Sequence, residues 1–273
     1  MTKTESIQKF IDDYCENVVQ GFHSRWQNHI PEIFNNGVSE TIGGLTSRQA
    51  TLALELAQNP GIWNAHIAPI VLRTMTDTHI TLAWILESPD DRSRAYIDYG
   101  LGQARLNLEF LRNEAEKIPK DEFDEALQEV IDFKTSWLDS QRYDWAIDVN
   151  VGAWSGKSTR EMAKEGDCDG LYKFVYTQFS GAAHSMWHHV ERFNLVPCTN
   201  PLHKAHRMPV ILSSPIDPDY LFRSAKYISR TYSLISDKLG LESGVPLPAR
   251  YFAENFPFTV DQDGIPDKHA EKQ

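Results

Sequence analysis

Apolar residues recur every three or four positions along most of this chain, a spacing that predicts helices rather than strands. Between residues 4 and 30, Ile7, Phe10, Ile11, Tyr14, Val18, Phe22 and Trp26 share one helical face, and Pro31 closes the pattern. The link from Pro31 to Gly44 is rich in turn residues and reads as a mobile connection. Thr46 and Gln49 then form a candidate capping box for a helix running to about Gln58, stopped by Asn59-Pro60-Gly61. From Ile62 to Glu87 the chain is apolar nearly all round, which marks a central helix buried on several sides. Pro69 is placed to kink that helix or stagger its start. Ser88-Pro89-Asp90-Asp91 opens the next one, with Ser at the cap, Pro at the first helical position and acids in the first turn. It should reach Lys117, loosened near Gly100 and Gly102.

Residues 120 to 141 give a further amphipathic helix, and residues 142 to 167 a loop with a short helix behind a Ser158/Glu161 capping box. From Leu171 to Val190, Tyr172, Tyr176, Ser180, His184 and His188 recur every fourth residue among apolar neighbours. On one continuous helix they would form a slowly winding polar row, offset by about 40° per step. Residues 191 to 217 hold four prolines and predict an ordered loop or short extended pieces. Asp217-Pro218-Asp219 begins the last long helix, with Leu221, Ala225, Ile228, Tyr232, Ile235 and Leu239 inward and Gly240 as the stop. Aromatics as far as Phe258 dock the following tail on the body. The fold class is all-α. It is a single helical-bundle domain of about six to seven helices over residues 1–258, with a partly irregular C-terminal extension and a loose polar tail at 259–273.

Charge narrows the function classes. Acids outnumber bases by 38 to 27, a formal net charge of −11 that repels a nucleic-acid backbone unless a local basic patch intervenes. No apolar run approaches the roughly 20 residues of a membrane span, and the acidic, amphipathic N-terminus is unlike a targeting peptide. Three widely spaced cysteines, Cys15, Cys168 and Cys198, fit reduced thiols in a cytoplasm.

Two helices carry the candidate chemistry. Arg73 and Asp77, four apart in the apolar central helix, can pair on one face. They read either as a buried ion pair bridging helices or as an anion-binding Arg held by Asp77. On the later helix, Tyr176 and Ser180 could bond Arg73, and His184 could act as acid or base, the role an imidazole suits near neutral pH. Polar groups on two mostly apolar helices need each other in a dry interior, so Arg73, Asp77, Tyr176, Ser180 and His184 are expected to meet as one site. Ser180 lacks a GxSxG elbow, and Trp154-Ser155-Gly156-Lys157-Ser158 lacks the strand and spacing of a phosphate loop. His184 and His188, with His66 or Asp77, would be a scattered ligand set. Cys198, His203 and His206 form an incomplete one, so no tightly bound metal and no cofactor are expected.

The ordered segments RTMTDTHITLAWI, WSGKSTREMA and YKFVYTQFSGAAH resemble the bacterial family called domain of unknown function fifty-six seventy-seven. The matching positions are Arg73, Asp77, Trp154, Gly156, Ala163, Tyr172, Tyr176, Ser180 and His184, within about residues 47–185. The resemblance implies a helical fold and bacterial origin, and supplies no activity. A more distant likeness is to the HEPN helical ribonucleases, whose signature is an Arg and a His four to six residues apart. Arg73 and His79 fit that spacing, although on a continuous helix they lie on different faces, and Arg73 with His184 could satisfy it in space. That likeness implies a metal-independent ribonuclease of a toxin or defence system, with RNA as substrate. The alternatives are a non-catalytic helical module binding a small anion or a protein partner, homodimerisation included, and a metal-dependent helical-bundle enzyme. Whether the protein is an enzyme stays open at this stage.

Overall fold

The computed structural model describes residues 3–27, 29, 36–119, 125–141 and 154–257. In chain order these form α1 (Lys3–Trp26), α2 (Asn36–Gln58), a 3₁₀ turn at Pro60–Ile62, α3 (Ala68–Leu86), α4 (Pro89–Ala115) and α5 (Glu125–Asp139). There follow α6 (Thr159–Glu165), α7 (Asp169–Leu171), a π-helical stretch (Tyr172–Tyr176), α8 (Thr177–Ala183) and α9 (Trp187–Asn194). A two-stranded hairpin, β1 (Leu195–Pro197) with β2 (Arg207–Pro209), precedes α10 (Asp219–Leu239) and α11 (Pro248–Asn255). The fold class is all-α, as the apolar spacing predicts.

The most apolar segment becomes the centre. α3 packs against α2, α10, α8 and α6, and Leu72, Met75, Ile80, Leu82 and Ile85 on it are fully buried. Removing each such side chain from water contributes about 1.5–3 kcal/mol. α10 brings Leu221, Ile228, Tyr232 and Ile235 into the same core, and its Tyr232 hydroxyl donates to the Val18 carbonyl of α1 at 2.8 Å. Gly240 ends α10 in the left-handed region with φ 67°, the stop expected of it. The tail docks through Phe252, whose ring packs among Phe10, Phe222 and Phe256.

Several local expectations need correction. The turn-rich link is helical from Asn36 onward, because the Trp26 indole packs against Gly43 where a side chain would stand. Tertiary packing there overrides weak glycine propensity. Thr46 caps nothing: it lies buried inside α2 and its hydroxyl donates to the Ile42 carbonyl at 2.7 Å. α3 starts only at Ala68 with Pro69 in its first turn, the staggered start rather than the kink of the two expected outcomes. α4 runs unbroken past Gly100 and Gly102, with Leu101 and Gly102 buried. The loop expected at residues 142 to 153 and the tail beyond residue 257 lie outside the described residues. The Ser158 cap behaves as expected, with Glu161 closing the box from its side chain.

Candidate functional site

The Arg73 side chain leaves α3 beside the π stretch and α8, and three groups take it up. Its Nε donates to Ser180 Oγ at 2.9 Å, and its Nη1 pairs with the Asp77 carboxylate. The Tyr176 ring covers its flat face, with the guanidinium carbon 3.1 Å from the ring centroid. The Ser180 hydroxyl in turn donates to the Tyr176 carbonyl at 2.7 Å, so it is used as both acceptor and donor. The Tyr176 hydroxyl donates to Thr159 Oγ1 at 3.3 Å, and Tyr172 stacks on Tyr176 at 4.7 Å. Arg73 is buried at 8% exposure, whereas the Asp77 side chain is 44% exposed. Burial pushes the Asp77 carboxyl above its ordinary value, against the opposing pull of Arg73 and, more weakly, of His184.

The polar row of residues 171–190 is not one helix. The π stretch inserts a wider turn at Tyr172–Tyr176, which shifts the register by one residue. α8 stops at Ala183, His184 is its exposed C-cap residue, and Ser185 adopts φ 48°. Met186 N then bonds the Gly181 carbonyl at 2.9 Å, and α9 begins a new direction. His184 therefore reaches the cluster only as a charge acting on Asp77, with no side-chain bond to Arg73, Tyr176 or Ser180 among those the structure shows. His188 folds back over Gly181, whose missing side chain leaves room for the ring. Separated by this break, His184 and His188 cannot act as an i, i+4 ligand pair. His66 instead meets the rings of His189 and Phe193 at 5.9 and 5.6 Å.

His79 faces away from Arg73. Its Nδ1 lies 3.0 Å from Thr231 Oγ1 of α10, and burial lowers its pKa to about 4, helped by the Arg230 charge. It lines a groove of about 740 Å³ with Cys168, Arg230, Asp237 and Lys238. The six-residue spacing from Arg73 to His79 thus does not unite the two side chains.

A second cluster carries no signal in the sequence. The Arg92 guanidinium lies 4.0 Å from the Trp84 ring and bonds the Trp84 carbonyl, while Glu165 accepts from both Arg92 at 3.1 Å and Trp84 Nε1 at 2.7 Å. Trp154 meets Trp84 and Tyr96 edge-on at 5.3 and 5.1 Å. The WSGKS segment is therefore a lid over an aromatic cluster, with Gly156 at φ 65° making its turn. Arg92, Trp84 and Glu165 come from three elements and meet only through packing.

A family profile described as Family of unknown function (DUF5677) matches residues 41–200, more than half of the chain. The chain belongs to that family. No curated protein matches it, and no solved structure does. The DUF5677 region takes in α2 from Thr41 onward, α3 to α9 and the first strand, hence the whole Arg73 cluster and the Trp84 cluster. α1, α10 and α11 lie outside it, so Thr231, the partner of His79, comes from beyond the DUF5677 match. Among the described residues no helix is long and apolar enough to cross a membrane.

Proposed function

We propose that this DUF5677 protein is a non-catalytic helical interaction module that pairs with a second copy of itself through the arm at residues 186–216. In this reading the Arg73 cluster is a clasp that fixes the base of that arm. The observation that carries it is the arm's surface. Trp187, Leu202, Ile211 and Ile216 are 69, 86, 101 and 60% exposed, a concentration of apolar side chains in water within one segment of the kind that marks an interaction surface.

Charge favours a second copy as that partner. Residues 186–216 hold Arg192, Lys204 and Arg207 against Glu191 alone, a net +2 within a chain of net −11. The remainder is then −13, so the molecule carries both halves of a complementary pair. The arm is pinned at its base rather than free to collapse: Ala65 N bonds Ser214 Oγ at 3.1 Å and Asp217 N bonds the Trp63 carbonyl at 2.7 Å. At the other end Arg73 holds Ser180, three residues before α8 stops.

A metal-independent ribonuclease would need a cation free to meet phosphate and a base beside it. Arg73 is already engaged by a carboxylate, a hydroxyl and an aromatic face, and an entering phosphate would meet Asp77 first. The same obstacle weighs against a small-anion site. Sedimentation equilibrium of the full chain from about 1 to 100 μM tests the proposal, since a 100 μM limit detects pairing of about −5.4 kcal/mol or stronger. A mass rising toward twice 31.2 kDa is expected, reverting to monomer in Trp187→Ser/Ile211→Asp with unchanged circular dichroism. A wild-type monomer throughout overturns the reading. Chelator-resistant cleavage of pooled RNA, lost in Arg73→Ala and His184→Ala, would give the cluster to chemistry instead.

A further inference from the structure

The hairpin at the tip of the arm brings together three side chains that are scattered over nine positions of sequence. β1 and β2 pair with Leu195 opposite Pro209, Val196 opposite Met208 and Pro197 opposite Arg207. Continuing that register sets Cys198 opposite His206, and Cys198 N bonds the His206 carbonyl at 2.9 Å. The loop beyond is folded back by its own bonds. His203 N donates to the Asn200 carbonyl at 3.0 Å, His206 N donates to the His203 carbonyl at 3.2 Å, and Ala205 takes φ 59° to make the return. The ligand atoms of Cys198, His203 and His206 consequently all lie within 4.8 Å of one another.

From this we infer that the hairpin tip is a binding site for one zinc-class divalent cation, held by the Cys198 thiolate and the imidazoles of His203 and His206. The inference stands on the hairpin alone and does not depend on the arm's self-association. Tetrahedral ligation at about 2.3 Å to sulfur and about 2.05 Å to nitrogen sets sulfur and nitrogen about 3.6 Å apart. Cys198 Sγ and His203 Nδ1 are 3.7 Å apart, so that edge of the tetrahedron is already in place. The His206 ring lies edge-on to His203 with centroids 5.4 Å apart, and its ligand atom stays within 4.8 Å of the other two.

Donor chemistry names the cation class. One thiolate and two imidazoles suit zinc and its late first-row neighbours and do not suit magnesium or calcium, which take oxygen. Three protein donors leave a fourth position for water or an incoming group. Residues 199–209 are all exposed, so no apolar core adds to the hydrogen bonds that hold the loop. Short segments without a core commonly depend on a metal or a disulfide.

The test is zinc titration of untagged, metal-stripped full chain against a chromophoric chelator, with cobalt as a spectroscopic probe. Expected are one cation per chain and a near-ultraviolet sulfur-to-cobalt band with intense tetrahedral visible bands. Cys198→Ser should remove the sulfur band and, like His203→Ala and His206→Ala, weaken binding about 100-fold or more. Cys15→Ser and His188→Ala should change nothing. The ligands are at the surface, so circular dichroism of all variants should match wild type. Binding that survives Cys198→Ser undiminished, that disappears instead with Cys15→Ser or Cys168→Ser, or that is absent at micromolar zinc overturns the assignment.

Discussion

Replacing Arg73 by Lys separates two accounts of the central cluster, because Lys keeps the charge and loses the planar fork. Arg73 makes a charged hydrogen bond to Ser180, of a kind that stabilises by about 1.5–3 kcal/mol. It also lies flat on Tyr176 in a dry setting, which adds about 1–2 kcal/mol. The Asp77 pair adds little, about 0–1 kcal/mol, since the carboxylate is 44% exposed and can turn to water when its partner goes. Arg73→Ala should therefore cost about 3 kcal/mol, at the low end for a broken buried pair. An ammonium at position 73 can still meet Asp77 but cannot also donate sideways to Ser180 while stacking. Arg73→Lys should accordingly lose about 2 kcal/mol, most of the effect of Ala. Urea unfolding followed by circular dichroism measures both, with unchanged slopes confirming a common unfolded state. A Lys variant within about 0.5 kcal/mol of wild type would refute the planar clasp and leave a plain ion pair.

The buried His79 predicts a pH dependence. Its folded pKa of about 4 lies below the ordinary 6.5, so the unfolded chain binds the proton first as pH falls. Its contribution is complete above pH 6.5 and lost between 6.5 and about 4, on the order of 3 kcal/mol, and His79→Gln should flatten that part of the stability profile. Gly166→Ala should cost about 1–3 kcal/mol in the same assay, because its new methyl meets the Ala83 and Trp84 backbone at 3.0 Å and must push the end of α6 off α3. An unchanged midpoint would show that α6 can shift. Glu165→Gln should lower the unfolding midpoint by weakening the bonds from Arg92 and Trp84, and a neutral result would demote that cluster to surface decoration.

Much of the architecture is written in short stretches of sequence. The apolar run that became α3, the Ser158/Glu161 box, the left-handed Gly240 and the inward row of α10 each depend on residues within a turn or two of one another. Such signals are local, and a sequence states them directly. The pairing of Arg73 with Asp77 is legible for the same reason, being four residues apart on one helix.

Where local rules failed, a distant contact had intervened. Trp26 packs on Gly43 and keeps α2 helical through residues that by themselves favour turns. Periodicity predicts one row from Tyr172 to His188, but the π stretch and the turn at Ser185 cut it, and a repeat of four cannot reveal either device. Ser180 is 107 positions from the Arg73 that it holds, and Thr231 is 152 from His79, so only packing could choose those partners. The same holds at the hairpin tip. Cys198, His203 and His206 form an incomplete ligand set as a string, and it takes strand pairing at 195–197 and 207–209 to turn their sulfur and imidazoles toward one point. Composition and spacing set which groups the chain carries. Which of them share a neighbourhood is a property of chain closure, whose cost is met by burial summed over the whole core rather than by any one segment.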